Sequence, residues 1–135
     1  MSGRFVPKST PETQDFWDGA KTGALRLQRC GACAEHYFPP RPFCPACGSR
    51  DVTSFTASGR GKLYSYIINH VGAPGRPPPF AVAIVELEEG PRLMSNILGC
   101  AQTPEALELD MPLEVTFEKL TDDITLPQFK PAKGV

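Results

Sequence analysis

Four of the five cysteines form a pattern typical of a metal site. Cys30-Gly31-Ala32-Cys33 is separated by ten residues from Cys44-Pro45-Ala46-Cys47. Two C-x-x-C turns brought together place four thiolates at the corners of a tetrahedron, which Zn²⁺ accepts at about 2.3 Å per sulfur. Because the protein fills all four corners, the predicted zinc site is structural rather than catalytic; its ligands are Cys30, Cys33, Cys44 and Cys47. Iron in the same sulfur site is the alternative, since geometry alone does not exclude it.

Short elements around the cysteines should hold this site. Residues 25–28 and 36–38 are predicted to form the two strands of a ribbon, and the prolines between the cysteine pairs favour an extended chain. Gly31 and Gly48 are expected at positions of positive φ in the two turns, because glycine tolerates that conformation.

The sequence offers no recognisable catalytic arrangement. Cys100 is the odd cysteine, and the two histidines are His36, inside the cysteine loop, and His70, in a predicted strand. A cysteine nucleophile needs a nearby base and an electropositive setting. We therefore interpret Cys100 as a packing residue and predict that the chain is not itself an enzyme.

The rest of the chain reads as one terminal helix followed by a small barrel. Thr10-Pro11-Glu12 is typical of a helix start, and a helix is predicted over 11–22. Five short strands are predicted, with a short helix at 103–107 before the last strand; the strands are residues 51–58, 63–71, 80–87, 92–98 and 113–118. This order is typical of a closed Greek-key barrel of the OB type.

Composition and charge exclude some classes of protein. The chain has 135 residues, with 15 prolines and 12 glycines, which disfavours a helical bundle. No stretch approaches 18 consecutive apolar residues and no apolar leader is visible, so we expect no membrane span and a cytoplasmic location. Residues 1–62 carry a net charge of +4 and residues 63–135 a net charge of −5, from nine basic against five acidic residues and five against ten. An acidic barrel half argues against a single-strand nucleic-acid binder, which needs a basic groove with stacking aromatics.

Several segments, in order, resemble a family that joins an N-terminal helix, a rubredoxin-like zinc ribbon and a C-terminal OB-fold, formerly a domain of unknown function. The resemblance covers about residues 12–131 and rests on these stretches: Phe16-Trp17-Asp18-Gly19, Phe38-Pro39-Pro40-Arg41, Cys44-Pro45-Ala46-Cys47-Gly48-Ser49, Ala57-Ser58-Gly59-Arg60-Gly61 and Gly90-Pro91-Arg92-Leu93-Met94-Ser95-Asn96. Two positions depart from the family pattern. Asp110 replaces the usual glycine before Met-Pro, and Phe55 replaces the usual tryptophan.

The resemblance implies a non-catalytic partner of thiolase-fold enzymes, a class that includes thiolases, hydroxymethylglutaryl-CoA synthases and lipid-transfer-protein-like aldolases of steroid breakdown. It implies a hetero-oligomer in which acyl-CoA is a shared ligand. The basic half suggests Arg41, Arg60 and Lys62 as contacts for the CoA phosphates, since arginine suits phosphate. Exposed aromatic residues are expected to anchor the partner, namely Phe16, Trp17, Phe80 and, in the tail, Phe129.

We thus expect a mainly β chain with four parts: a leader and helix (1–24), a zinc ribbon (25–50), an OB-fold (51–120) and a C-terminal tail (121–135). The accessory subunit is the leading hypothesis. Its alternatives are the nucleic-acid-binding OB-fold protein and an iron rubredoxin-like electron carrier.

Overall fold

Residues 6–132, which a computed structural model describes, form one helix and eight strands. The elements are α1 (Gln14–Lys21), β1 (Arg26–Cys30), β2 (His36–Tyr37), β3 (Val52–Thr56), β4 (Arg60–Asn69), β5 (Phe80–Leu87), β6 (Arg92–Ser95), β7 (Pro112–Lys119) and β8 (Thr125–Pro131). Residues 1–5 of the expected leader and 133–135 of the expected tail lie outside the described residues. The predicted class, mainly β with one short helix, is confirmed.

The N-terminal helix is shorter than predicted. Residues 11–13 form a turn in which the Thr13 N–H donates to the Thr10 carbonyl, and the helix begins at Gln14. It stops before Gly23, whose φ of +82° suits a residue without a Cβ.

A three-stranded antiparallel sheet with the order β2-β1-β3 forms the ribbon. The prediction that residues 51–58 are the first barrel strand is wrong, because β3 pairs with β1 from Arg26↔Thr56 to Cys30↔Val52. An arginine side chain reinforces this pairing. Arg26 on β1 donates to the Ser54 hydroxyl at 2.6 Å and to the Thr56 hydroxyl at 2.8 Å on β3.

A five-stranded sheet with the order β6-β5-β4-β7-β8 forms the OB-fold. The end of β6 meets β8 through a parallel bridge, Ile97↔Phe129, and the Leu98 N–H donates to the Phe129 carbonyl at 2.7 Å. This contact brings the two outer strands together, as barrel closure requires.

The prediction of a C-terminal tail is wrong for residues 125–131. They form β8, paired with β7 over seven residues, and Gln128 and Phe129 are buried. The strand was not predicted because residues 125–131 contain two prolines, Pro127 and Pro131, and proline disfavours a strand. Both can be accommodated because β8 lies at the end of the sheet order, where proline costs few ladder hydrogen bonds.

The predicted helix at 103–107 is a single turn. The Leu107 N–H donates to the Thr103 carbonyl at 3.0 Å, and no further helical turn follows. A segment this short gains too few hydrogen bonds to propagate a helix. Leu107 is nevertheless buried, so the turn contributes to the core.

Ribbon and barrel share one hydrophobic core. Leu25 and Leu27 beside the ribbon and Phe16 of the helix belong to the same buried cluster as the barrel residues Leu63, Val85 and Phe129. The ribbon is therefore attached to the barrel by packing as well as by the chain. No helix in residues 6–132 is long and apolar enough to cross a membrane.

Candidate metal centre and surface sites

The four predicted cysteine ligands come together in space. Their sulfur atoms all lie within 4.8 Å of one another, with Cys30 Sγ 3.6 Å from Cys47 Sγ and Cys33 Sγ 3.6 Å from Cys44 Sγ. A metal–sulfur bond of about 2.3 Å gives a tetrahedron with edges of about 3.8 Å. The four sulfurs thus fit one tetrahedral ion, and the donor set is that of zinc or iron.

The two C-x-x-C turns are built alike, fourteen residues apart. In the first turn the Ala32 N–H donates to Cys30 Sγ at 3.3 Å, and in the second the Ala46 N–H donates to Cys44 Sγ at 3.3 Å. We call these turns the knuckles, residues 30–35 and 44–49. Each knuckle aims one buried and one exposed cysteine at the common centre.

The expectation for the first-knuckle glycine is wrong. Gly48 has the predicted positive φ of +79°, but in the first knuckle the equivalent position is Ala34, at φ +65°. Gly31 does not have a positive φ, and a Cβ there would meet only the carboxylate of Asp51, an exposed side chain that can move away. The Ala34 conformation is one that L-residues adopt only when the surroundings hold it.

The knuckles also favour the thiolate form of one ligand. A hydrogen bond from the Cys33 backbone N–H, acting against burial and with help from the Ala32 N–H, lowers the pKa of Cys30 to about 7. Metal ligation needs the deprotonated sulfur. The first knuckle thus prepares Cys30 for a cation, whereas at Cys33 a backbone hydrogen bond is outweighed by burial and by the neighbouring cysteine sulfurs, which raise the pKa of that thiol.

Arg60 and Lys62, two of the predicted CoA contacts, line one surface groove of about 650 Å³. Three carboxylates line it as well, those of Glu86, Glu88 and Glu114. Arg60 Nε lies 2.8 Å from Glu88 and Lys62 Nζ lies 3.4 Å from Glu86. The Arg60 guanidinium accordingly lowers the pKa of the Glu88 carboxyl. Both cations already have acidic partners, so a phosphate would have to compete for them.

Arg41 lies apart from that groove, in the loop between β2 and β3. Its backbone N–H donates to the Gln28 side chain at 2.7 Å, which fixes the loop, and its side chain is exposed. Within residues 6–132 the Arg41 guanidinium makes no ion pair. Of the three predicted phosphate contacts, Arg41 is therefore the one whose positive charge is not offset by a neighbouring carboxylate, unlike Arg60 and Lys62.

Two of the four aromatic interface candidates are not at the surface. The expectation that Phe16 and Phe129 are exposed is wrong, since they are 8% and 0% exposed and pack in the core. Trp17 is half-buried, with its ring 4.9 Å from that of Phe16, and Phe80 is half-buried beneath the Arg76 guanidinium. Of the four aromatic candidates, therefore, only Trp17 and Phe80 have exposed surface that a partner could contact.

The remaining polar candidates do not assemble into a catalytic group. His36 contacts the Phe55 ring edge-on at 5.2 Å, while His70 is exposed at the end of β4. Burial raises the pKa of the Cys100 thiol, which disfavours the thiolate that a nucleophile needs.

The sequence did not single out the apolar residues that the barrel actually exposes. Ile67 is 64% exposed, Val71 91%, Met94 71% and Leu109 62%. Strand alternation could have suggested Ile67 and Met94, but each directly adjoins another large apolar residue, Ile68 or Leu93, so the exposed face is not marked by a simple apolar–polar alternation.

Comparison with known proteins follows the same division of the chain. Residues 17–53 match the family profile described as "ChsH2, rubredoxin-like zinc ribbon domain", and residues 56–118 match "ChsH2, C-terminal OB-fold domain". The boundary between them, at residues 54 and 55, falls within β3, shortly before the structure passes from ribbon to barrel.

The chain is similar to proteins named as enzyme subunits and to proteins named as scaffolds. "Probable enoyl-CoA hydratase alpha subunit" of Thermomonospora curvata is 39% identical over 96% of this chain, which spans only 46% of that protein. "DUF35 domain-containing scaffold protein" of Methanocaldococcus jannaschii is 36% identical over 70% of this chain and 68% of its own length. "Benzoylsuccinyl-CoA thiolase subunit BbsA" of Thauera aromatica is 29% identical over 73% of this chain and 67% of its own length.

One solved structure matches almost the whole of both chains. A chain of the structure described as "Ltp2-ChsH2(DUF35) aldolase" superposes with a TM-score of 0.83 and is 38% identical, covering 93% of this chain and 98% of that one. Apart from the scaffold protein, these similar proteins are linked by their names to acyl-CoA metabolism or to a thiolase or aldolase assembly.

Proposed function

Because this chain belongs to the ChsH2 (DUF35) family of zinc-ribbon and OB-fold proteins, we propose that it is a non-catalytic accessory subunit of a thiolase-fold enzyme acting on acyl-CoA. The observation that carries the proposal is the near-complete match to a chain of the Ltp2–ChsH2(DUF35) aldolase. The name of the BbsA relative, a thiolase subunit, supports the same class of partner.

The relatives named as hydratase subunits are much longer proteins than this chain. The chain spans less than half of the Thermomonospora curvata protein, so the activity of that whole protein is no guide to this chain. Relatives named scaffold proteins match a larger share of their own length, 68% in the Methanocaldococcus jannaschii protein. A supporting role fits a chain whose thiol, Cys100, has a raised pKa and whose metal ligands are all protein atoms.

The metal has a structural role in this proposal. Cys30, Cys33, Cys44 and Cys47 would hold a zinc ion, which fixes the two knuckles and the loop that carries Arg41. The ion supplies folding free energy rather than an open coordination position. Metal analysis separates zinc from iron, because a ferric sulfur site absorbs visible light and a zinc site does not.

The chain helps to bind acyl-CoA chiefly through Arg41. Arg60 and Lys62, already paired with Glu88 and Glu86, contribute less. Replacing Arg41 by Glu should weaken acyl-CoA binding by the complex by about 10-fold, the scale of one charge-assisted hydrogen bond. Arg29→Glu, an equally exposed arginine on β1, is the matched control. Equal affinity in the Arg41→Glu and control complexes would remove Arg41 from the ligand site.

Purification of the tagged chain with its natural partner, followed by an acyl-CoA activity screen, tests the proposal. We expect a thiolase-fold enzyme at a fixed ratio, and turnover that the chain alone does not show. A principal partner outside the thiolase fold, or turnover by the isolated chain, would contradict the proposal.

A further inference from the structure

Half of the longest strand has an open edge. β7 pairs with β4 only at residues 60–62, and the turn before β7 extends this contact by one residue, with hydrogen bonds between Leu63 and residues 110 and 111. A register shift between Leu63 and Ser65 follows, where the pairing of β4 becomes irregular. Beyond it, within residues 6–132, β5 is the one strand that pairs with residues 65–69.

The hydrogen bonds of Ala81 reveal which backbone groups face this open edge. The Ala81 N–H donates to Gln102 Oε1 at 2.7 Å, and its carbonyl accepts from Asn96 Nδ2 at 2.7 Å. Since Ala81 bonds to these side chains, its backbone groups point away from β4. In antiparallel pairing the residues alternate, so Ile68, opposite Ala81, also points its N–H and C=O away from β5.

The same alternation places the backbone groups of Tyr66 on the open edge, while Ile67 and Asn69 bond toward β5. Among the described residues, no backbone or side-chain group hydrogen-bonds to the main chain of Tyr66 or Ile68 on that side. The edge therefore presents two donors and two acceptors in strand geometry.

Nothing in this segment protects the edge. Natural proteins shield free edges with lysine, proline or inward-pointing charge, yet residues 64–69 read Tyr-Ser-Tyr-Ile-Ile-Asn. Ile67 is 64% exposed, and the edge is bordered by Leu109, 62% exposed, and Val71, 91% exposed. Such an edge, uncharged and flanked by exposed apolar side chains, is a template for another strand.

We propose that residues 64–69 of β4 receive an extended segment of the partner enzyme, which adds a strand to this sheet. The occupant is a stretch of alternating apolar residues with a basic residue near Leu63, where Glu108 is exposed and the exposed Asp110 carboxylate lies 3.9 Å from Lys62 Nζ, at the limit of an ion pair. This inference rests on the proposed function for the class of partner, while the edge itself is a property of this chain.

Amide hydrogen exchange in the purified complex tests the inference without a mutation. The Tyr66 and Ile68 amides should exchange rapidly in the isolated chain and slow by about 100-fold or more in the complex. The Ile67 and Asn69 amides, already bonded to β5, serve as internal controls and should change little. Exchange that stays rapid at Tyr66 and Ile68 in a stable complex overturns the edge proposal and leaves the proposed function standing.

Two matched variants separate the edge from the neighbouring sheet face. Ile67→Lys puts an edge-protecting residue on β4 and should weaken partner binding by about 10-fold. Met94→Lys alters an equally exposed residue on β6, 71% exposed, and should leave affinity within about 2-fold. Equal losses in both variants would place the partner on the sheet face and refute the edge.

Two further outcomes would refute the edge proposal. If no thiolase-fold enzyme binds, both the edge proposal and the proposed function fail. If the Tyr66 and Ile68 amides become protected in the isolated chain as its concentration rises, with a dimer by sedimentation, the occupant is a second copy and the proposal is wrong.

Discussion

Removing the metal should melt the two knuckles and leave the barrel folded. In residues 30–35 and 44–49 only the Cys30 and Cys44 side chains are buried, so the knuckles gain little from apolar packing. Ordering these twelve residues costs about 12–24 kcal/mol of conformational entropy. Zinc binding by comparable cysteine sites supplies about 10–16 kcal/mol, which makes the metal the main term that offsets this cost.

The barrel should survive because its core does not depend on the knuckles. Leu25 and Leu27 belong to the barrel's buried cluster, whereas the residues that follow Cys30 in the first knuckle are exposed. The unfolding should therefore stop near Cys30, at the end of β1. Strand β3, held to β1 by Arg26, should stay in place.

Amide exchange before and after chelation measures this directly. The Ala34, Cys44 and Gly48 amides, hydrogen-bonded within the knuckles, should lose about 100-fold or more of their protection. The Leu87 and Phe129 amides of the barrel should change by less than about 3-fold. Knuckle amides that remain protected after complete metal removal would refute the reasoning, as would simultaneous loss of the barrel amides.

Single cysteine variants provide the matched control. Cys47→Ser removes one ligand and should weaken zinc affinity by more than about 100-fold, since even the partners of metal ligands are worth 10–100-fold. Cys100→Ser changes a cysteine outside the cluster and should bind one zinc per chain as before. Loss of zinc from both variants would show that the assigned ligand set is wrong.

Further predictions concern stability and pH. Gly61→Ala should lower the free energy of unfolding by about 1–3 kcal/mol in urea titrations, because the new Cβ would lie 2.6 Å from the Glu86 carbonyl; an unchanged midpoint would contradict this packing. Phe129→Ala should cost about 3–5 kcal/mol, because the ring is fully buried; a cost near zero would show that β8 does not close the barrel. Arg26→Gln should cost about 1–2 kcal/mol through its lost bonds to β3, and Arg29→Gln less than about 0.5 kcal/mol; equal costs would refute the assigned role. Zinc affinity should fall as pH drops, because protons compete for the thiolates, and a pH-independent affinity would contradict thiolate ligation.

The sequence was sufficient to predict which four cysteines come together, since C-x-x-C spacing and the tetrahedral preference of zinc leave little freedom. It also predicted β5 to the residue, because a continuous apolar run between turn signals has few other structures available. The turn at Asp110 kept the geometry that the family's usual glycine allows. Asp110 has a φ of +66°, a conformation that aspartate tolerates better than most residues.

What could not be predicted depends on long-range pairing. Local patterning marks residues 52–56 as a strand, but its backbone pairing with β1, reinforced by the Arg26 side chain, assigns it to the ribbon, and these partners are distant in sequence. The prolines of residues 125–131 suggest a tail until β7 is present to pair with them. The open edge of β4 was equally invisible, because it arises where β7 stops pairing rather than from any residue type.

Reconstitution with the partner enzyme tests the central claim most directly. Acyl-CoA turnover and native mass should be measured for the enzyme alone, for this chain alone and for the mixture. The accessory-subunit account predicts a stable hetero-oligomer, no turnover by this chain, and a higher kcat/KM for the mixture than for the enzyme alone. Two separate masses with turnover unchanged on mixing, or turnover by this chain by itself, would contradict it.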